Sequence, residues 1–174
     1  LNATSLDNQS INDYSQYNAS RTGTNVTFTP TTPGNYTVTL TVTDVSGNWN
    51  TTTTTLRVND TTSPVANITS TNATTASSLA QNYSQDNGTT TYWNGSGSTD
   101  NGNITSYDWS LNATSLDNQS INDYSQYNSS DTGQNVTFTP ETPGNYTVWL
   151  NVTDEDGNWN TTTTTLRVND TTSP

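Results

Sequence analysis

The chain has 174 residues, a net charge of −12 and 15 acidic side chains against three basic ones, all arginine (Arg21, Arg57, Arg167), with no lysine or histidine. Neutralising nucleic-acid phosphates or an anionic lipid surface takes clustered Lys and Arg, so both are excluded as partners. The absence of cysteine removes disulfides and thiolate metal sites, and without His, Cys or Lys there is no ordinary general base for a serine or thiol nucleophile, so no enzyme is expected.

Leu, Ile, Val and Phe together make up only about 14% of the residues, which is low for a folded chain. Five Trp and nine Tyr supply large rings to bury, and the apolar residues alternate, so a folded all-β chain is expected. In chain order, Tyr36, Val38, Leu40 and Val42 share one face of a strand within residues 35–43. Trp49 follows a hairpin turn, and residues 51–55 are a threonine run that reads as a strand or as an O-glycosylated segment. Residues 70–90 are polar and carry no assignable element. The turn-rich run 98–102 leads into a strand with Tyr107, Trp109 and Leu111 on one face. A second unplaced polar stretch, 112–134, follows. Val136 and Phe138 form a short strand closed by Pro140 and the Pro143-Gly144 turn. Residues 145–153 place Tyr146, Val148, Leu150 and Val152 inward and Thr147, Trp149 and Asn151 outward. Asp156-Gly157-Asn158 is a hairpin turn, followed by a threonine-rich strand ending with Leu166 and Val168 inward. Trp49 and Trp159, just past their turns, read as packing residues. Trp149 suits stacking on a sugar ring or covering a domain contact, and the sequence does not choose between them.

Residues 1–64 return at 111–174, an offset of 110, with 56 of 64 positions identical. The eight differences, among them Thr39/Trp149 and Thr41/Asn151, leave the alternating apolar set untouched. Such a period is the mark of a tandem array. The expected organisation is a C-terminal part of one repeat over 1–59 (an incomplete sandwich), a linker at 60–64, a complete sandwich over 65–168, and a linker to the next repeat at 169–174. The chain then reads as a piece of a longer polymer. It has no start methionine, no leader and no run that would insert directly in a membrane.

Ser-Pro-Val-Ala at 63–66, Asn-Gly-Ser-Gly-Ser-Thr-Asp-Asn at 94–101, Ile-Thr-Ser-Tyr-Asp-Trp at 104–109, Thr-Pro-Gly-Asn-Tyr-Thr-Val at 142–148, Val-Thr-Asp at 152–154 and Gly-Asn at 157–158 follow one another in an order that resembles the polycystic-kidney-disease (PKD) domain. The resemblance covers most of 63–168. It implies tandem immunoglobulin-like β-sandwich repeats of 110 residues, of a family common in archaeal and bacterial surface-layer proteins and secreted enzymes. Trp109 would be the core tryptophan of the third strand and Tyr146 the tyrosine near the start of a later one. The family's Gly-Asp-Gly turn after that tryptophan is replaced by Ser110-Leu111-Asn112, and the two polar stretches have no family template. Some members bind calcium through Asp near strand ends, and Asp100 and Asp154 stand at matching positions. As calcium ligands they take the ion through oxygen, and as turn residues they cap backbone N–H groups.

Of 26 asparagines, 21 open an Asn-x-Ser/Thr triplet without proline, the acceptor signal for N-linked glycosylation. Ser and Thr are about 35% of the chain, so chance gives roughly nine. The expected acceptors are Asn2, Asn8, Asn18, Asn25, Asn35, Asn50, Asn67, Asn72, Asn82, Asn87, Asn103, Asn112, Asn118, Asn128, Asn135, Asn145, Asn151 and Asn160. Asn94 reads as a buried turn residue, and Asn59 and Asn169 have Asp in the middle position, a poor acceptor context. Covalent N-linked glycans are thus the expected non-protein component, with no other cofactor apart from the calcium candidates.

These readings converge on a heavily N-glycosylated extracellular or cell-surface structural protein, a fibre, stalk or surface-layer component that self-associates by head-to-tail stacking of Ig-like units. Two alternatives remain. One is an adhesin or carbohydrate-binding module with Trp149 as platform, and the other is a spacer beside a secreted hydrolase.

Overall fold

The computed structural model describes residues 1–7, 14–75, 82–117, 121 and 123–171. Its backbone divides into two compact units, Leu1–Thr62 with Asn101–Asn103, and Ser63–Asp100 with Ile104–Pro174. The first contains β1 (Asn2–Leu6), β2 (Gly34–Thr43) and β3 (Trp49–Val58), paired antiparallel in the order β1-β2-β3. The second contains β4 (Thr69–Ser70), β5 (Thr74–Thr75), β6 (Asn82–Asp86), β7 (Thr91–Asn94), β8 (Ile104–Leu116), β9 (Ser129–Thr132), β10 (Asn135–Phe138), β11 (Gly144–Asp154) and β12 (Trp159–Asn169).

The second unit is a two-sheet sandwich around one core. A six-stranded sheet runs β5-β6-β12-β11-β8-β9, and a three-stranded sheet runs β10-β7-β4. Period-2 alternation along β11 points Tyr146, Val148, Leu150 and Val152 inward, where the last three are 0% exposed. Leu166 and Val168 of β12 and Trp109, Leu111, Ala113 and Leu116 of β8 complete that layer. The facing layer is Trp93 of β7 with Val136 and Phe138 of β10. Trp93 is the residue missing from the sequence reading. Its indole Nε1–H donates to Thr91 Oγ1 at 2.8 Å, and that hydroxyl donates to the Phe138 carbonyl at 3.0 Å, so a buried ring keeps its polar atom satisfied. Trp109 does the same through Nε1–H to the Gly133 carbonyl at 2.8 Å.

The two polar stretches are parts of the sandwich. From 70–90 come β5 and β6. Strand β6 pairs parallel to the edge of β12 and brings Tyr83 edge-on to Trp93, with ring centroids 5.1 Å apart. From 112–134 come the last residues of β8, a 3-10 turn at Ser125–Tyr127 and β9, with Tyr124 and Tyr127 packed on the core. Tyr107, expected inward with Trp109, is half-buried at the rim of that core.

The first unit repeats the later half of the second without its facing layer. Tyr36 is 1% exposed, covered by a small cluster with Leu1, Ala3 and Leu6, against which Tyr14, Tyr17 and Phe28 pack. Beyond this cluster the same face is bare, with Leu40 53%, Val42 56% and Leu56 38% exposed. An incomplete sandwich leads to the expectation that all of Tyr36, Val38, Leu40 and Val42 are open. The structure corrects this for Tyr36, which is buried, and for Val38, which is half-buried, because the segment carrying Tyr14 to Phe28 folds back over that end of the sheet.

A candidate glycan-bearing surface

Along β2, β8, β10 and β11 the sequon asparagines alternate out because their apolar neighbours alternate in, whereas Asn50 and Asn160 stand opposite Val42 and Val152 on the apolar side. Asn2, Asn18, Asn25, Asn35, Asn50, Asn67, Asn72, Asn103, Asn128, Asn135, Asn145 and Asn160 are exposed. Asn87, Asn112 and Asn151 are half-buried, where parity or a polar neighbourhood predicts exposure. Asn8 and Asn118 lie outside the described residues, and the side chain of Asn82 is not among the described ones. Asn94 is half-buried and does act as a turn residue, its Oδ1 accepting the Ser96 N–H at 2.6 Å. Asn59 is exposed and Asn169 half-buried.

Several of these amides already hold backbone. Asn128 Oδ1 accepts the Ala113 N–H and Asn18 Oδ1 the Ala3 N–H, each at 2.9 Å. Asn72 donates to the Thr90 carbonyl at 2.7 Å and accepts the Tyr92 N–H at 2.9 Å. Asn160 Nδ2 donates to the Pro64 carbonyl and Asn145 Nδ2 to Ser115 Oγ, both at 2.9 Å. Since the sugar bonds to Nδ2, the last three residues would carry a glycan and a structural hydrogen bond on the same atom. Asn25, Asn67 and Asn135 are exposed, and the sugar-accepting nitrogen is not drawn into any of the contacts described above.

The outer face of the six-stranded sheet carries two exposed tryptophans. Trp149, on β11, is 43% exposed between Ser110 of β8 and Thr163 of β12. Trp159, at the start of β12 opposite Thr153, is 62% exposed, and Trp49 in the first unit is 70% exposed. Neither Trp49 nor Trp159 is a packing residue, which corrects the sequence reading. Counting by twos back from inward Leu166 places 159 on the outer face, so the signal was present in the sequence.

Asp154 caps its hairpin. Its Oδ1 accepts the N–H groups of Asp156 and Asn158 at 2.9 and 2.8 Å, and its Oδ2 accepts Asn158 Nδ2 at 2.8 Å. Asp44 repeats this with Ser46 and Asn48, and the Asn48 side chain is the main influence holding its carboxyl below the usual carboxylate range. Three donors converging on one carboxylate is turn-cap chemistry. A carboxylate oxygen of Asp100 lies within 4.8 Å of one of Asp154, so both calcium candidates stand at one end of the sandwich. The pair supplies a fraction of the six to eight oxygens calcium takes.

Two of the three arginines tie strand ends together. Arg167 of β12 grips Asp117, just past β8, through both terminal guanidinium nitrogens, and Arg57 of β3 meets Asp7 just past β1 at 2.8 Å. Among the described residues no helix is long and apolar enough to cross a membrane.

A Y_Y_Y domain model matches residues 7–59, under a third of the chain. No curated protein matches the sequence. Among solved structures, one of carbohydrate-binding modules from the β-sandwich superfamily aligns over 66% of this chain at 23% identity with a TM-score of 0.47. The aligned part spans 38% of that chain's length.

Proposed function

We propose that this chain belongs to a structural, N-glycosylated protein of the cell exterior, built of PKD-like sandwich repeats stacked head to tail into a fibre, stalk or surface layer, and without catalytic activity. The observation that carries the reading is the placement of the sequons. None of the sequon asparagines with a described side chain is buried; Asn35, Asn112, Asn135, Asn145 and Asn151 leave their strands on the side away from the apolar residues, while Asn160, exposed at the start of β12, shares the side of Val152. A glycan cannot enter a packed interior, so every acceptor that is modified must reach solvent. An acidic, lysine-free surface adds solubility to that coat. The bare face of the first unit supports self-association, because strands of the type in residues 63–110 would cover it as they cover the second unit. The reading takes those strands from an adjoining repeat of one polypeptide.

Peptide mapping by mass spectrometry of the protein recovered from its native cells tests the reading. Sugars are expected on most of Asn25, Asn35, Asn50, Asn67, Asn135, Asn145 and Asn160. Unmodified asparagine at all of them would overturn it. The exposure of Trp149 favours one other reading, a carbohydrate-binding module. That reading requires polysaccharide binding by the chain that disappears in Trp149→Thr.

A further inference from the structure

Two of the positions at which the copies differ sit two residues apart on one strand and change together. Thr39 and Thr41 of the first copy are Trp149 and Asn151 of the second. With Val152 and Thr153, the change at 151 creates a sequon that the first copy lacks, and the change at 149 sets an indole beside it. Both side chains leave the outer face of β11, about 7 Å apart along the strand. Their cross-strand partners are Ser110 and Asp108 on β8 and Thr163 and Thr161 on β12, so the indole at 149 has small side chains directly opposite it on both strands. Trp159 stands opposite Thr153 and so diagonal to Asn151 on the same face, about 7–8 Å away in a regular antiparallel ladder. Asn151 therefore lies between two exposed indoles, and its Oδ1 is buried without a hydrogen-bond partner among the described residues.

One face of a pyranose ring is a patch of C–H bonds with partial positive charge, which complements the negative face of an indole. Its hydroxyls stay in water. We propose that Asn151 carries an N-linked glycan whose innermost sugar packs on Trp149, with Trp159 flanking its other side. The proposal rests on the glycoprotein reading above and assigns this site a specific ring contact. The co-reactant is a lipid-phosphate-linked oligosaccharide, delivered by an oligosaccharyltransferase. The bond from its anomeric carbon to the phosphate oxygen breaks, a bond from that carbon to Nδ2 forms, Nδ2 gives up one proton, and the lipid phosphate leaves.

The full chain, secreted from cells that carry an oligosaccharyltransferase, is compared as wild type, Trp149→Thr, Thr153→Ala and the double variant. Threonine is what the first copy holds at 39, and Thr153→Ala removes the sequon while keeping Asn151. Asn151 should be modified in the wild type, with sugar protons moved upfield by the indole ring current and that shift lost in Trp149→Thr. Removing the sequon should lower the melting temperature by about 3–6 °C when Trp149 is present and leave it nearly unchanged when it is not. Equal falls in both backgrounds overturn the proposal. So does an unmodified Asn151 beside glycosylated Asn135 and Asn145, which leaves the coat reading standing, whereas bare asparagine everywhere removes both. Binding of a free oligosaccharide at Trp149 with Asn151 unmodified assigns the indole to a foreign sugar and also overturns it. Should Trp149→Thr fail to fold, the graft Thr41→Asn, with and without Thr39→Trp, asks the same question in β2. The upfield shift must then appear only with the tryptophan.

Discussion

Tyr146 is anchored at both ends of its side chain. The ring is 1% exposed in the core, and the hydroxyl donates to the Thr142 carbonyl four residues upstream at 2.8 Å. Tyr36 makes the same bond to Thr32 at 2.8 Å. Burial is the main cause of the raised pKa of both phenols, so they stay protonated donors throughout the neutral range. Tyr146→Phe keeps the ring and deletes the bond, and should cost about 1 kcal/mol in urea unfolding of the second unit. A neutral result would mean that the hydroxyl holds nothing. Tyr146 was legible because its strand alternates cleanly. Trp93 was not, because the inward positions of β7 are Thr91 and Trp93 and the outward ones Tyr92 and Asn94. A four-residue strand with an aromatic on each face fits either parity, and it takes the hydroxyl chain from Trp93 through Thr91 to Phe138 to decide which ring is inside.

Among the elements, the most informative comparison is between identical residues. Asn-Val-Thr-Phe at 135–138 is β10, while the same four residues at 25–28 form no strand. What differs is the partner. β10 exists by pairing with β7, about 40 residues upstream, and nothing equivalent stands beside 25–28 among the described residues. Strand propensity is set by neighbours as much as by sequence, so the polar stretches 70–90 and 112–134 could not be placed from their own residues. The Arg167–Asp117 clasp is likewise a product of sheet order. Arg167 sits opposite Asn145, which sits opposite Ser115, so the pair spans the central strand. The Arg167 side chain is the chief cause of the lowered carboxyl pKa of Asp117. A depressed folded-state pKa means that the unfolded chain binds the proton more readily. The clasp's contribution is therefore present above the unfolded value of about 3.9 and is lost as pH falls through the lower folded value. The urea midpoint of the second unit should decline below about pH 4. Asp117→Asn should flatten that part of the profile, and an unchanged profile would show that the pair is too solvated to matter.

At the scale of the whole molecule, one sequence gives two outcomes. Val148, Leu150, Val152 and Leu166 are 0% exposed in the second unit, whereas their counterparts Leu40, Val42 and Leu56 lie open and Val38 is half-buried. The difference is the cover supplied by Ile68, Ala73, Tyr83 and Trp93, to which nothing among the described residues of the first unit corresponds. Along β2, residues 38–43 have no strand on the side away from β3 among the described residues, while the matching stretch of β11 is bound by β8. An apolar face beside an open edge invites a further strand layer. A contact in which one unit's covering strands seat on the next unit's bare face is heterologous, and it propagates into a filament unless a rotation closes it. Hydrogen exchange on the isolated chain should therefore find residues 34–43 and 49–58 exchanging much faster than 144–154 and 159–169, because local opening is easiest where apolar contacts are few. Sedimentation should show association that grows with concentration and falls in Leu40→Thr/Val42→Thr, a change that replaces exposed apolar groups with residues suited to a strand. A dispersed monomer whose first unit is protected as strongly as its second would overturn the assembly, since a face already shielded in the single chain has no need of a neighbour.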